Sequence, residues 1–497
     1  MSPTILFRAM KTIRALSCAL ILLATATEAQ TPPQAARQWH TVNRQQILDE
    51  FTALLAIPNV ASDTSNIERN ANTLVSALQK RGAESRLLTI PNAPPIVYGE
   101  IKTPGAKHTI VFYAHYDGQP VTPSEWDGGN PYSPVVRKVN GEDYIFARSA
   151  SDDKGTIIAQ LAALDALHAA KIPLKSNIRF VWEGEEEAGS PHLEEILMAH
   201  RDLITGDVWL VCDGPVDQSR KQTVVFGARG DTHLEITVFG PKRGLHSGHY
   251  GNWAPNPAMM LAKLLAGMKD DDGHVLINHF YDGIAPLGKL EKDAIAEAPV
   301  NDDQLKHELL LGHVDGGGKK LIELLNLPTL NINGMAAANV GPRANNVIPN
   351  KAVADIDLRL VVGLHWREQQ DRVIDYIRSQ GYFVTETDPT PEQLLSHPKV
   401  AVVKRDDASY DAVRTPMDWP MAQQVIKALE SAHGSVVKWP TMGGSVPLGA
   451  MNRAANTRTI TVPIANHDNN QHSFNENLRL QNLWDGIETM AALLAME

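Results

Sequence analysis

The sequence predicts an α/β domain interrupted by an inserted α+β domain, and three observations point there. Strand-like apolar runs alternate with helical stretches up to about Phe226, and a second pattern of polar–apolar alternation starts near Gly230. Helical character then resumes at Met421 to Ala432, and a strand-like run, Thr459 to Pro463, closes the pattern. The division follows as residues 1–29 a leader, 30–228 the first part of the α/β domain, 229–390 the insertion and 391–497 its second part.

In order along the chain, Arg8, Lys11 and Arg14 precede the apolar run Ala15 to Ala24, and small residues lead to Ala29. That is the pattern of a secretory signal peptide cleaved after Ala29, which predicts an exported protein, periplasmic or secreted. After cleavage Cys212 is the sole cysteine, so an internal disulfide is excluded, and no later stretch has the roughly 20 apolar residues of a membrane span. The formal charge of −11 disfavours nucleic acid and anionic membrane surfaces as partners.

Gln30 to Gln38 reads as a lead-in, and Asn43 to Ile57 has helical spacing that ends at Pro58. Thr109 to Phe112, Asn177 to Trp182 and Asp207 to Cys212 read as strands, with a helix from Thr156 to Ala170. In the insertion, Leu234, Ile236 and Val238 alternate with polar residues, Pro257 to Met268 reads as a helix, and Asp270 to Lys320 is charged and loop-rich. Alternation returns at Ala352 to Val361, followed by a helix at Trp366 to Ser379, a strand at Tyr382 to Thr387 and a connector at Asp388 to Pro416.

The chemistry lies at the ends of these strands. His115 and Asp117 follow the first, Glu185, Glu186 and Glu187 the second, and Asp213 the third. His472 follows the last, and Asp152 and Asp153 stand before the helix. Singly, each has a plainer reading: Asp152 and Asp153 as a helix cap, the glutamates as a solvated loop, Asp213 before Gly214-Pro215 as a turn. Together, two histidines and three carboxylate positions at strand ends can hold two divalent ions if one carboxylate bridges them.

These segments carry a specific resemblance. His115 to Pro120, Asp152 to Gly155, Glu186 to Ser190, Asp213 and His472 to Glu476 resemble the motifs of the M20 family of zinc peptidases, particularly its carnosinase-like dipeptidase branch. One departure stands out: where the family has Gly-Arg-Gly before the bridging Asp, this chain reads Ala147-Arg148-Ser149-Ala150.

The resemblance implies two co-catalytic Zn²⁺ per chain, with Co²⁺ or Mn²⁺ as substitutes, held by His115, Asp152, Glu187, Asp213 and His472 with Asp152 bridging. It makes Asp117 and Glu186 the catalytic pair, with Glu186 as general base. The insertion becomes a lid that dimerises the protein and carries His246, which reaches the partner subunit's active site. Asn346, Arg359, Gly444 and Ser445 become substrate contacts, Arg359 for a terminal carboxylate. The implied activity is hydrolysis of dipeptides, or of the C-terminal residue of short peptides. Two other readings stand beside it. One is an N-acyl-amino-acid deacylase similar to acetylornithine deacetylase or succinyl-diaminopimelate desuccinylase. The other is a non-catalytic metal- or peptide-binding protein, which would have no use for a general base.

Overall fold

The computed structural model describes residues 30–444 and 446–497. The signal peptide expected over residues 1–29, and Ser445, lie outside the described residues.

Two large sheets organise the chain. The first has eight strands in the order β1 (Glu84–Leu88), β2 (Ile96–Ile101), β6 (Asn177–Glu183), β3 (Thr109–His115), β7 (Val208–Val211), β19 (Thr459–Thr461), β8 (Thr223–Val225) and β18 (Val437–Trp439). Its centre, β6, β3, β7 and β19, is parallel. A parallel strand covered on both faces must be apolar throughout, and β3 obeys this rule. Ile110, Phe112 and Ala114 join the core beneath the helices Pro32–Leu55, Lys154–Ala169 and Leu480–Leu494. Val111 and Tyr113 point the other way, to a core shared with the helices Leu193–Ala199 and Leu448–Ala455. Full burial of a side chain such as Phe112 contributes about 1.5–3 kcal/mol, and many such side chains make up this continuous core.

The second sheet has the order β12 (Thr329–Ala336), β14 (Lys351–Leu360), β10 (Gly230–Phe239), β16 (Val400–Arg405) and β15 (Phe383–Thr385). Helices Pro257–Ala266 and Trp366–Ser379 cover one face, packing Leu261, Leu265, Val373 and Ile377 onto Leu234, Ile236 and Val238. The chain crosses between the sheets at an antiparallel pair, β9 (Gly227–Ala228) with β17 (Val413–Arg414). Only glycine fits at 227, because a Cβ there would stand 2.3 Å from the carbonyl oxygen of Val413. Smaller ribbons are formed by β11 (Leu245–His246) with β13 (Val347–Ile348), and by β4 (Val135–Val139), β5 (Glu142–Phe146) and β20 (Asn477–Arg479).

Two expectations need correction. The stretch 388–416 is not a plain connector: Val400–Arg405 pairs with β10 inside the second sheet, beyond the boundary expected at 390. Its residues Val400 to Val403 are all buried, so they show none of the alternation that marks a half-exposed strand. The lead-in Gln30 to Gln38 is helical from Pro32, where proline at the first helical turn lacks only an N–H that would have no partner anyway.

Candidate metal centre and active site

The four parallel strands deliver the predicted residues to one crevice. β3 ends in His115, β6 leads to Glu186 and Glu187, β7 to Asp213, and β19 to the loop carrying His472. Because β6, β3, β7 and β19 are neighbours, their carboxyl ends open side by side.

Asp152 stands at the centre. Its Oδ1 lies 2.8 Å from His115 Nε2, and its Oδ2 lies 3.2 Å from His472 Nε2. His472 Nε2 is also 3.1 Å from Glu187 Oε2, and His115 Nε2 is 4.0 Å from Asp213 Oδ2. Two groups of potential ligand atoms result, His115, Asp152 and Asp213, and Asp152, Glu187 and His472, each within 4.8 Å mutually and sharing Asp152.

The electrostatics of the protein atoms alone call for cations. Burial and the charge of Asp152 push the Asp213 carboxyl up to about 7. Burial, with Asp213 and Asp152 close by, raises Glu186 well above the carboxylate range against the pull of His115. Hydrogen bonds to Asp152 and Glu187 drive His472 up to about 10. Glu187 Oε1 is buried without a hydrogen-bond partner. Four carboxylates crowded around two imidazoles fit a pair of divalent ions, which would relieve the repulsion and take up the open ligand positions.

Asp117 is fully buried, and its Oδ1 lies 3.3 Å from His115 Nδ1, where it can set the ring's tautomer. It also does something the motif did not reveal. Its Oδ1 accepts the N–H of Glu186 and its Oδ2 the N–H of Glu187, each at 3.0 Å, so one carboxylate fixes the loop bearing both glutamates. The third glutamate has a separate partner: Glu185 accepts the backbone N–H of His192 at 2.9 Å and contacts its Nδ1 at 3.0 Å. Asp153 occupies the helix N-cap position without a capping bond from its side chain, and instead accepts the N–H of His115 at 3.2 Å. The cap reading of that acid is thereby displaced.

Glu476 has a larger part than its place at the end of a motif suggested. It is fully buried and accepts N–H groups from Ser149 at 2.9 Å and from Ser151 and Asp152 at 3.0 Å, while Arg148 donates at 2.8 Å. Arg148 also donates to the carbonyl of Ser473 at 3.1 Å, tying the Asp152 loop to the His472 loop. The signal was present in sequence, an acid four residues after His472, but its targets lie more than three hundred positions away.

A cavity of about 310 Å³ opens on Asp152, Glu186, Asp213 and His472. Gly443 and Gly444 line it, and the neighbouring Ser445 lies outside the described residues. The residues assigned to the insertion stand elsewhere. His246 is exposed at the end of β11, its Nδ1 accepting the N–H of Gly248 at 3.1 Å, with its ring 4.5 Å from that of His249. Asn346 is beside it, its carbonyl accepting the N–H of Ser247 at 3.0 Å. Arg359 is held on the second sheet by Asp231 at 3.3 Å and Asp357 at 3.2 Å. None of these three is among the residues lining the cavity.

The model of the family described as peptidase family M20/M25/M40 matches residues 111–496. The β-Ala-His dipeptidase of Homo sapiens is 26% identical over 409 residues, covering 80% of this chain and 76% of that protein. A Cys-Gly metallodipeptidase of Candida albicans is 26% identical over 478 residues, covering 91% and 94%. Among solved structures, an M20 family metallo-carboxypeptidase from Sulfolobus solfataricus superposes with a TM-score of 0.74 at 25% identity, covering 90% of this chain and 98% of that one. Human carnosine dipeptidase 1 gives 0.69 at 21% identity, covering 93% and 99%.

Proposed function

The chain belongs to peptidase family M20/M25/M40, and from that premise we propose that it is an exported di-zinc dipeptidase, working as a homodimer through its inserted domain. The observation that carries the reading is Asp152, placed between His115 and His472 so that two three-residue ligand groups share it. His115, Asp152 and Asp213 would hold one ion, and Asp152, Glu187 and His472 the other, with Co²⁺ or Mn²⁺ as workable substitutes for Zn²⁺. Bound ions of this kind supply Lewis acidity to water and to a peptide carbonyl.

The chain's own groups then do the following. Glu186, facing the same cavity, takes a proton from the attacking water and passes it to the departing amine. Asp117 keeps that base in place through the backbone N–H of Glu186, and keeps the adjacent ligand in place through that of Glu187. His246 donates to the oxygen of the reacting carbonyl in the partner's site. Its exposure, and the 80% exposed Trp253 nearby in sequence, suit a surface that a second copy covers. Arg359, with Asn346, Gly444 and Ser445 around the substrate, takes the terminal carboxylate when the inserted domain closes. The basic, then apolar, then small-residue leader supports export, and cleavage after Ala29 would leave the enzyme in the periplasm or outside the cell.

The deciding experiment is metal analysis of the mature protein together with hydrolysis of free dipeptides, blocked dipeptides and N-acyl amino acids. Two zinc ions per chain and cleavage of free dipeptides, abolished by chelation, are expected. Cleavage of N-acyl amino acids alone would identify a deacylase, and full activity in metal-free protein would remove the site assignment.

A further inference from the structure

We infer that the cavity beside the metal centre is a side-chain pocket for an apolar residue at the N-terminal position of the substrate, with Trp439 and Met442 setting the preference. The inference rests on the dipeptidase reading and deepens it.

Beside the polar side chains of Asp152, Glu186, Asp213, Gln471 and His472, the cavity is lined by an apolar set: Val225, Trp439, Met442, Val446 and Pro463. The sheet builds this lining. β8 and β18 run parallel with Trp439 in register with Val225, and the N–H of Met442 donates to the carbonyl of Gly227 at 2.9 Å. The methyl of Met442 lies over the turn just after Asp213, for a Cβ placed on Gly214 would stand 4.0 Å from Met442 Cε and 3.9 Å from Pro463 Cβ. The apolar surface therefore begins one residue from a proposed ligand.

Two arguments assign the occupant. First, a charged side chain seated against indole, thioether and proline would lose water, and the carboxylates of the same cavity are engaged as proposed ligands, Asp152 and Asp213, and as the base, Glu186, whereas an apolar side chain gains by leaving water. Second, among the described residues no lysine or arginine lines the cavity, and the one histidine that does, His472, already faces Asp152 and Glu187. Arg359, the proposed partner of the substrate's C-terminal carboxylate, stands on the second sheet outside this cavity, so the C-terminal residue extends toward the inserted domain and the cavity takes the residue on the other side of the scissile bond. A volume of about 310 Å³ is at the small end for ligand sites and suits one amino-acid side chain rather than a longer peptide.

The test is kcat/KM of the metal-loaded holoenzyme on dipeptides sharing one C-terminal residue, with leucine, phenylalanine, glycine, aspartate or lysine at the N-terminal position. Leucine or phenylalanine should exceed aspartate and lysine by about tenfold or more, the scale on which an apolar pocket discriminates. Trp439→Ala should shrink that ratio. Met442→Glu should raise lysine relative to leucine, a gain that a misfolded variant cannot produce. Cleavage of all five dipeptides at similar rates, or a leucine-to-lysine ratio unmoved by both substitutions, overturns the inference while leaving the dipeptidase reading intact. Cleavage of N-acyl amino acids and of no dipeptide overturns both.

Discussion

Ser149 adopts a left-handed backbone, φ 61°, and its hydroxyl accepts a hydrogen bond from the side-chain amide of Asn59 at 2.8 Å. The same hydroxyl donates to the carbonyl of Asp117 at 3.3 Å, and the Asn59 amide also donates to the carbonyl of Tyr116 at 2.8 Å. This pair accounts for serine at the second glycine position of Gly-Arg-Gly. The backbone still takes the conformation that favours glycine, and the serine that replaces glycine there is held by a contact glycine could not make. Gly118 completes the arrangement, since a Cβ at that position would come within 2.3 Å of the Ser149 hydroxyl oxygen.

A stability order follows. Ser149→Gly relieves the left-handed strain but loses the hydroxyl, two effects of about 1 kcal/mol that oppose each other. Ser149→Ala keeps the strain and loses the hydroxyl as well, so it should be the less stable variant by about 1 kcal/mol. Denaturant unfolding of the two metal-loaded proteins measures the difference. An alanine variant as stable as the glycine variant would show that the backbone at 149 carries no penalty.

The three consecutive glutamates are distinguished by their partners, and each role has its own signature. Glu186→Gln should keep its metal and lose several orders of magnitude in turnover, because an amide cannot accept the proton. Glu187→Gln should lose metal, since its carboxylate lies 3.1 Å from His472 in the second ligand group. Metal analysis and single-turnover rates on both variants read this directly, and exchanged phenotypes would shift the register by one residue.

What was legible in the sequence, and what was not, follows from the range of the interactions. His115, Asp152, Glu187, Asp213 and His472 could be picked out because each follows or precedes a run of residues whose pattern declares a strand or a helix. Ser149 could be flagged as a departure, but not its resolution, which needs Asn59 ninety positions away. The support that Glu476 gives to Asp152 is equally non-local. Strands β8 and β18, with three residues each, are too short to show periodicity, and so the apolar wall at Val225 and Trp439 gave no signal. Val400–Arg405 escapes a sequence reading for the opposite reason, since it is a run buried on both faces inside a stretch of turn-forming and charged residues.

The carboxylate-binding role proposed for Arg359 leads to a third expectation. Asp231 and Asp357 already orient its guanidinium, and a fork so held is prepared to meet a planar anion. Amidating the C-terminus of a good dipeptide substrate should therefore remove most of kcat/KM, as should Arg359→Lys acting on the free acid. Equal rates for the acid and the amide in the wild-type enzyme would take Arg359 out of substrate binding.

His246 gives the last prediction, and its position makes the test unusually direct. Its polar contact is with Gly248 and its ring lies against His249, away from the cavity of its own chain, so any role in the reaction needs either a large closure or a second subunit. If it stabilises the developing charge on the carbonyl oxygen, His246→Ala should lower turnover by about a hundredfold or more with metal content unchanged. The two routes are separated by mixing His246→Ala chains with Glu186→Gln chains and allowing subunits to exchange. Action across a dimer gives a hybrid with one site combining an intact base and an intact partner histidine, and activity partly returns. Action within one chain leaves every site with a defect, because each chain carries one of the two lesions in its own site. Recovery after verified exchange therefore establishes the shared site, and its absence assigns His246 to its own subunit.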